Sequence, residues 1–364
     1  MSNKPERLAN KRVTRADVAR YAGVSTAVVS YVVNEGPKVV ASATAQRVRD
    51  AIGLLDYRPN PNARALKVGT TGMLGLIVPD SSNPHFAEFA LEIERAAAKR
   101  GLALVLGCSN SSEARESQLI SDLTARQVDG VIVSSATRPH QRPDTGSGRS
   151  PWASTVWTDV SAPASGFRTI GSDHIAGAAI AVEHLLAHGH ETVALLIGSD
   201  CDDREVGWQQ ALAARGRTPG AVVRETFTRD GGYRGGLRLL SGSPRPTAIF
   251  AGSDLLAVGL LRAAHELGLR IPEDVAIVSF DDTQESEYCW PPLTSIRQAL
   301  RDMAEAAVST VLDPDAPSGH QPFSVDLVVR CSCGCTELKS IASSRRQLIP
   351  EAASYQTEMA RTEG

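Results

Sequence analysis

From Met73 onward the sequence alternates short aliphatic, β-branched runs with amphipathic stretches of helical period, and it does so in two blocks. MLGLIV at 73–78, LALVLG at 102–107 and DGVIVS at 129–134 form the first block. TVALLIG at 192–198, TAIFAG at 247–252 and DVAIVSF at 274–280 form the second. Helical spacing follows the first run to Arg100 and returns near 203–215, 232–240 and 254–267. Strands that are apolar along their whole length are covered on both faces, and strands alternating with helices run parallel. The fold class expected is therefore α/β, as two doubly wound lobes. A chain of 364 residues also exceeds what one hydrophobic core fills.

Ahead of this region the texture differs. Residues 13–57 read as three short helices. Thr14 is placed to cap the first, with Asp17 three residues on as a short capping box, and Gly23 ends it. Ser25 caps a second, in which Val29, Val32 and Val33 share a face. A third carries Val48, Ala51, Ile52 and Leu55, and Arg58-Pro59-Asn60-Pro61 blocks any continuation. The 68 residues before Gly69 hold 12 Lys and Arg against 5 Asp and Glu, while the remainder holds 26 against 36. A basic head on an acidic body implies that the head meets a polyanion. Two helices joined by a tight glycine turn, the second exposing short polar residues, are the geometry that enters a DNA major groove. A small helical domain with a solvated face fits the same pattern equally well.

Several classes are disfavoured. The first ten residues are polar, without a secretory signal, and no stretch reaches the roughly 20 apolar residues of a membrane span. Six cysteines are too few for a disulfide framework, which points to the cytoplasm. Cys331, Cys333 and Cys335 form a C-x-C-x-C run, but metal sites usually want C-x-x-C loops and a second ligand pair, so no metal is expected there. No cofactor motif is present. The first strand leads into PDSSNPHF rather than a Gly-x-Gly-x-x-Gly turn, and no nucleophile–base set or P-loop appears, so an enzyme is not expected.

The segment from Val13 to Asn60, with V-T-x-x-D-V-A, A-G-V-S, V-S-x-V-V-N and L-x-Y-x-P-N in unbroken order, resembles the DNA-binding head of the LacI/GalR family of transcription regulators. The resemblance implies that Thr26, Ala27 and Tyr31 read bases and that Thr14, Ser25, Ser30 and Asn34 anchor phosphates. Well-known members carry tyrosine, glutamine and arginine at the three reading positions. This chain therefore lacks long bidentate side chains there, and Ala27 with the Thr26 methyl suits a thymine methyl. Ala41 stands where a capping serine is common, so the third helix should start less stably. Residues 60–67 resemble the family's hinge, with Leu66 as a minor-groove wedge and Asn62, Arg64 and Lys67 contacting DNA beside it.

Beyond the hinge, SSNPHFAEF at 81–89, QVDGVIV at 127–133, AVEHLLAHGH at 181–190, REVGW at 204–208, AGSDLLAVG at 251–259, IPEDVAIVSFDD at 271–282 and PPLTSIRQ at 291–298 resemble the family's sensor, itself similar to periplasmic sugar-binding proteins. Ligands of such folds sit in the cleft at the carboxyl ends of strands. The candidates are Asn83, Phe86, Asp159, Asp173, Arg204, Ser253, Asp281 and Gln298. Trp208, Trp157 and Trp290 join Phe86 as aromatic faces for a sugar. Each has a bland alternative: Asp281 as a helix cap, Trp208 as core, Arg204 as a solvated charge. Ser253 departs from the asparagine usual before that aspartate.

The organisation expected is a head at 1–59, a hinge at 60–71 and a sensor at 72–335. Its first lobe takes about 72–171 and 299–330 and its second about 172–298, with Arg138–Ser150 as a loop and 336–364 as a disordered tail. The whole implies a repressor that binds a roughly palindromic DNA operator as a homodimer, without a sustained leucine heptad for a tetramer, and is controlled by a small-molecule effector, a sugar or related metabolite. A solute-binding protein of a transport system is the alternative, disfavoured by the missing export signal.

Overall fold

The computed structural model describes residues 13–33, 39–58, 70–135, 155–159, 166–198 and 202–335. It divides into two compact units, 1–71 and 72–364.

The first unit holds α1 (Arg15–Ala22), α2 (Thr26–Val33) and α3 (Ser42–Leu54). Thr14 and Asp17 close a reciprocal capping box at α1, and Gly23 ends that helix with φ +65°. Only a residue without a Cβ adopts this left-handed turn at no steric cost. Val18, Ala19, Ala22, Val29, Val48, Ala51 and Tyr57 form the core of this unit, with Val28, Val32, Val33, Ile52 and Leu55 packed against it. Ala41 precedes α3 and makes no side-chain cap. Residues 60–69 of the hinge and the loop at 138–150 lie outside the described residues, as does the tail from 336.

The second unit contains two six-stranded sheets. The first runs β11-β5-β4-β3-β1-β2, all parallel, from β1 (Met73–Val78), β2 (Ala103–Cys108), β3 (Gly130–Ser134), β4 (Thr155–Thr158), β5 (Arg168–Ser172) and β11 (Gly319–Phe323). Its faces carry α4 (Pro84–Ala98) and α11 (Leu300–Leu312) on one side and α5 (Glu113–Ala125) on the other. The second runs β12-β10-β9-β8-β6-β7, from β6 (Ala194–Ile197), β7 (Val222–Arg224), β8 (Ala248–Ala251), β9 (Ala276–Asp281), β10 (Thr294–Gln298) and β12 (Val325–Val328). One face packs on α6 (His174–Ala187) and α7 (Asp203–Ala214), the other on α8 (Arg229–Leu240) and α9 (Asp254–Glu266). The short α10 (Gln284–Tyr288) links β9 to β10.

One boundary needs correction. The expectation assigned everything from 299 to 330 to the first lobe, but β12 lies in the second sheet, antiparallel to β10 from Ser295↔Val328 to Gln298↔Val325. The chain therefore crosses between lobes three times, after β5, after β10 and between β11 and β12.

Helices α8 and α9 meet unusually closely. A Cβ at Gly259 would stand 2.0 Å from the Arg229 carbonyl oxygen, and one at Gly232 would stand 2.2 Å from that of Leu256. Glycine at both positions is what lets the backbones touch.

Candidate functional site

On the head, Thr26 and Ala27 are exposed at the start of α2, and Tyr31 one turn later is half-buried. Ser25 is exposed and its Oγ accepts from the Val28 amide at 3.3 Å, so that hydroxyl caps α2. Thr14 is held by Asp17, whose Oδ2 accepts from its hydroxyl at 2.6 Å. Ser30 is half-buried. Asn34, Asn62, Arg64, Leu66 and Lys67 lie outside the described residues.

In the second unit, the carboxyl ends of strands from both sheets bring charged side chains together. Arg204, at the start of α7, forks onto Asp202: Nε and Nη2 donate to the two carboxylate oxygens, each at 2.9 Å. Its Nη1 donates to the Gly252 carbonyl at 2.9 Å, and the guanidinium lies over the rings of Phe227 and Phe280 at 5.0 and 5.3 Å. Asp281, ending β9, accepts from Gln298 Nε2 at 2.9 Å and faces His85 Nδ1 at 3.7 Å. His85 belongs to the first lobe, at the start of α4, and its Nε2 lies 4.0 Å from Asp159, which follows β4. Asp159 in turn faces His174 Nε2, at the start of α6, at 3.7 Å. The two lobes thus meet across a polar seam of His85 and Asp159 against Asp281, Gln298 and His174.

Burial sets the charge of this seam. It lowers His85 below its usual value and His174 to about 3, so both rings are neutral at pH 7. It raises Asp281 to about 7, against the pull of Arg204, and raises Asp159 as well. Among the described residues of the seam, the firm ion pair is Arg204 with Asp202. Asp281 stands at φ 111° and Asp159 at φ 62°, backbone conformations that side chains rarely adopt and that concentrate at binding sites. The buried Oε1 of Gln298 and Nε2 of His174 complete no hydrogen bond of good geometry. Each such group costs about 1–3 kcal/mol until a donor or acceptor reaches it.

Of the sequence candidates, Arg204, Asp159, Asp281 and Gln298 converge here. Asn83 and Phe86 support the seam rather than face it. Asn83 caps α4 by accepting from the His85 amide at 3.0 Å, and the Phe86 ring packs edge-on against His85 within the first lobe's core. Three candidates fall away. Trp208 is 1 % exposed in the second lobe's core, with its indole N–H on the Val193 carbonyl at 3.0 Å. Asp173 caps α6 on the surface, and Ser253 caps α9 from a buried position. Trp157 is buried against Phe167, and Trp290 is 88 % exposed beyond α10. Phe227 and Phe280 are the aromatic rings against the Arg204 guanidinium, and Phe280 is fully buried. Sequence reasoning passed over them together with His85, His174 and Asp202; His85 and Asp202 lie where expected helices begin, whereas Phe227 and His174 belong to stretches for which no element was expected.

Asp254, next to Ser253, is buried and accepts from Ser279, Ser295 and both the amide and the hydroxyl of Thr283. It ties β9, β10 and α10 to the start of α9. Asp282 does similar work, pairing with buried Arg330 at 2.7 Å and with Arg297 at 2.6 Å.

Comparison with known proteins bears on both units. The family model for bacterial regulatory proteins of the lacI family matches residues 14–60, and that for a periplasmic binding protein-like domain matches 182–333. The chain is 33% identical over 306 residues to the ribose operon repressor of Escherichia coli K12, spanning 82% of this chain and 92% of that protein. It is 31% identical to the HTH-type transcriptional repressor PurR of Glaesserella parasuis, spanning 88% and 98%. Among solved structures it is similar to the lac repressor dimer bound to operator and the anti-inducer ONPF. The TM-score there is 0.77 at 28% identity, covering 89% of this chain and 99% of that one. It is also similar to the regulator CelR in complex with cellobiose, with a TM-score of 0.63 at 29% identity, covering 88% and 100%.

Proposed function

The chain belongs to the lacI family of bacterial regulatory proteins, and on that premise we propose that it represses transcription by holding a DNA operator as a homodimer whose grip is set by a neutral, hydroxyl-rich metabolite in the seam between its lobes. Its relatives are repressors, and we read the chain as non-catalytic and acting in the cytoplasm, where its DNA is. Among the described residues no helix is long and apolar enough to cross a membrane.

The observation that carries the effector class is the charge balance of the seam. Arg204 is neutralised by Asp202, His85 and His174 are uncharged at neutral pH, and two further carboxyls lie beside them. Among the described residues no cation is left over there for a phosphate or carboxylate, which disfavours an anionic ligand. A neutral polyol instead finds paired acceptors in Asp281 and Asp159, a guanidinium edge, and the open valences of Gln298 and His174. Such a ligand exchanges the lobe-to-lobe contacts of His85 for contacts to itself, which changes how the lobes close. That is the differential interaction an effector requires. The exposure of Thr26 and Ala27 supports their role in reading bases, with Tyr31 beside them. On the same reading Thr14, Ser25, Ser30 and Asn34 touch phosphates, and Asn62, Arg64, Leu66 and Lys67 belong to the hinge contact.

The test is operator binding by the full chain, titrated with neutral pentoses and hexoses, nucleobases and sugar phosphates. A neutral sugar is expected to change operator affinity by about 5- to 150-fold, the usual range of coupling between two sites. Arg204→Ala should keep operator affinity and lose the response. A response to sugar phosphates alone, or an unaltered response in the variant, overturns the effector reading; specific DNA binding retained by a chain lacking residues 1–68 overturns the head.

A further inference from the structure

The C-x-C pair at Cys333 and Cys335 does have a second ligand pair, supplied by a helix almost 150 residues away in sequence. His184 and His188 stand one turn apart near the end of α6, and their imidazoles face the two thiols. His184 Nε2 lies 3.1 Å from Cys333 Sγ and 3.7 Å from Cys335 Sγ, and His188 Nε2 lies 3.2 Å from Cys335 Sγ. All four ligand atoms fall within 4.8 Å of one another. We propose that these residues form a closed, tetrahedral zinc site that clamps the end of the sensor core onto α6.

The distances fit that ion. With Zn–S near 2.3 Å and Zn–N near 2.05 Å, tetrahedral geometry puts sulfur about 3.6 Å from nitrogen. The observed sulfur–nitrogen contacts of 3.1–3.7 Å bracket that spacing, and small rotations of side chains open the shortest of them. Two thiolates and two imidazoles select zinc over magnesium or calcium, which want oxygen. Four protein ligands leave no open position, so the site is structural rather than catalytic.

The protein holds the ligands in place before any ion arrives. Between the cysteines, Gly334 takes φ +99°, a turn that directs both sulfurs to the same side. Ser332 anchors the segment, accepting from the Thr294 amide at 2.9 Å and donating to the Ile277 carbonyl at 2.7 Å. The Thr294 hydroxyl donates to Cys333 Sγ at 3.0 Å, the kind of outer contact that steadies a thiolate ligand. The site also sits at the carbonyl end of α6, where the helix dipole favours a cation. Cys333 is buried while His188 is exposed, so an ion can enter from solvent.

The test uses the full, untagged chain, reduced and purified without chelators. Elemental analysis should find one zinc per chain, and cobalt(II) added to the chelator-stripped protein should give sulfur-to-cobalt charge-transfer bands with tetrahedral d–d absorption. Cys335→Ser and His188→Ala, both on the accessible side, should each weaken zinc binding by more than the roughly 10–100-fold typical of outer-contact substitutions, with the folded signal retained. His190→Ala, whose ring instead meets the Thr247 hydroxyl, should bind zinc as the parent does. The proposal fails if the stripped, reduced parent takes up neither zinc nor cobalt at micromolar concentration, if octahedral cobalt spectra appear, or if the variants bind as tightly as the parent.

Discussion

Asp281 shows at the scale of one residue how binding chemistry is stored as instability. Burial raises its carboxyl to about 7 in the folded chain, against about 3.9 when unfolded. The folded state therefore holds the extra proton between those values, and stability is present below about pH 4 and lost as pH rises through 7. Asp281→Asn mimics the protonated form. It should be more stable than the parent, with a gap that grows from pH 5 to pH 8 to on the order of 2 kcal/mol, while the effector response disappears. His174 works in the opposite sense: its depressed value means stability is lost as pH falls from about 6.5 toward 3. Parent and variant share that loss, so the difference between their melting curves reports Asp281 together with the part of buried Asp254's upward shift that the Asp281 charge causes. A gap independent of pH would show that Asp281 is ionised throughout. At the head, Ala41→Ser should supply the missing cap of α3 and slow amide exchange in its first turn by an amount equivalent to about 1 kcal/mol; unchanged exchange would mean the α3 amides already have partners.

At the scale of elements, what was readable depended on whether one periodicity ruled the segment. The runs at β1, β3, β6, β8 and β9 are apolar throughout because helices cover both faces, and a continuous apolar run survives any reading. Strand β10, TSIRQ, gives Ser295 to the polar network of Asp254 and Gln298 to that of Asp281, and β11, GHQPF, is a half-exposed edge containing proline. Neither carries a strand signature of its own, which is why the return of β12 to the second lobe was missed. The seam was half legible for the same reason. Arg204 and Asp281 stand out after strands, whereas His85 looks like any polar residue following a proline, and only the fold brings it against the other lobe. The close crossing of α8 and α9 makes a prediction of its own. Gly259→Ala, although alanine favours helix, should destabilise the core by about 1–3 kcal/mol because the added carbon meets backbone that cannot yield, and denaturant unfolding reads this directly. A neutral or stabilising result would mean that the two helices can separate freely.

The whole molecule must present two heads to a palindromic operator, so its core needs a face for a second copy. A strand in a parallel sheet is normally covered on both sides, yet β2, at the edge of the first sheet, shows its pattern half exposed. Val105 and Leu106, which point to opposite faces, are 37% and 47% exposed. An uncovered apolar edge of this kind would promote unspecific pairing in a monomer, and natural proteins blunt such edges with charge, which these positions lack. A second subunit seated on β2 would remove this exposure. Leu106→Asp places a charge there without disturbing the buried side of the sheet. It should yield a monomer by sedimentation at micromolar concentration, with the core still folded and still binding effector. Because a lone head forfeits the gain from linked half-sites, operator affinity should fall by about 10²–10⁴-fold, whereas binding to a single half-site should change little. A variant that stays dimeric and keeps full operator affinity would place the subunit contact elsewhere on the core.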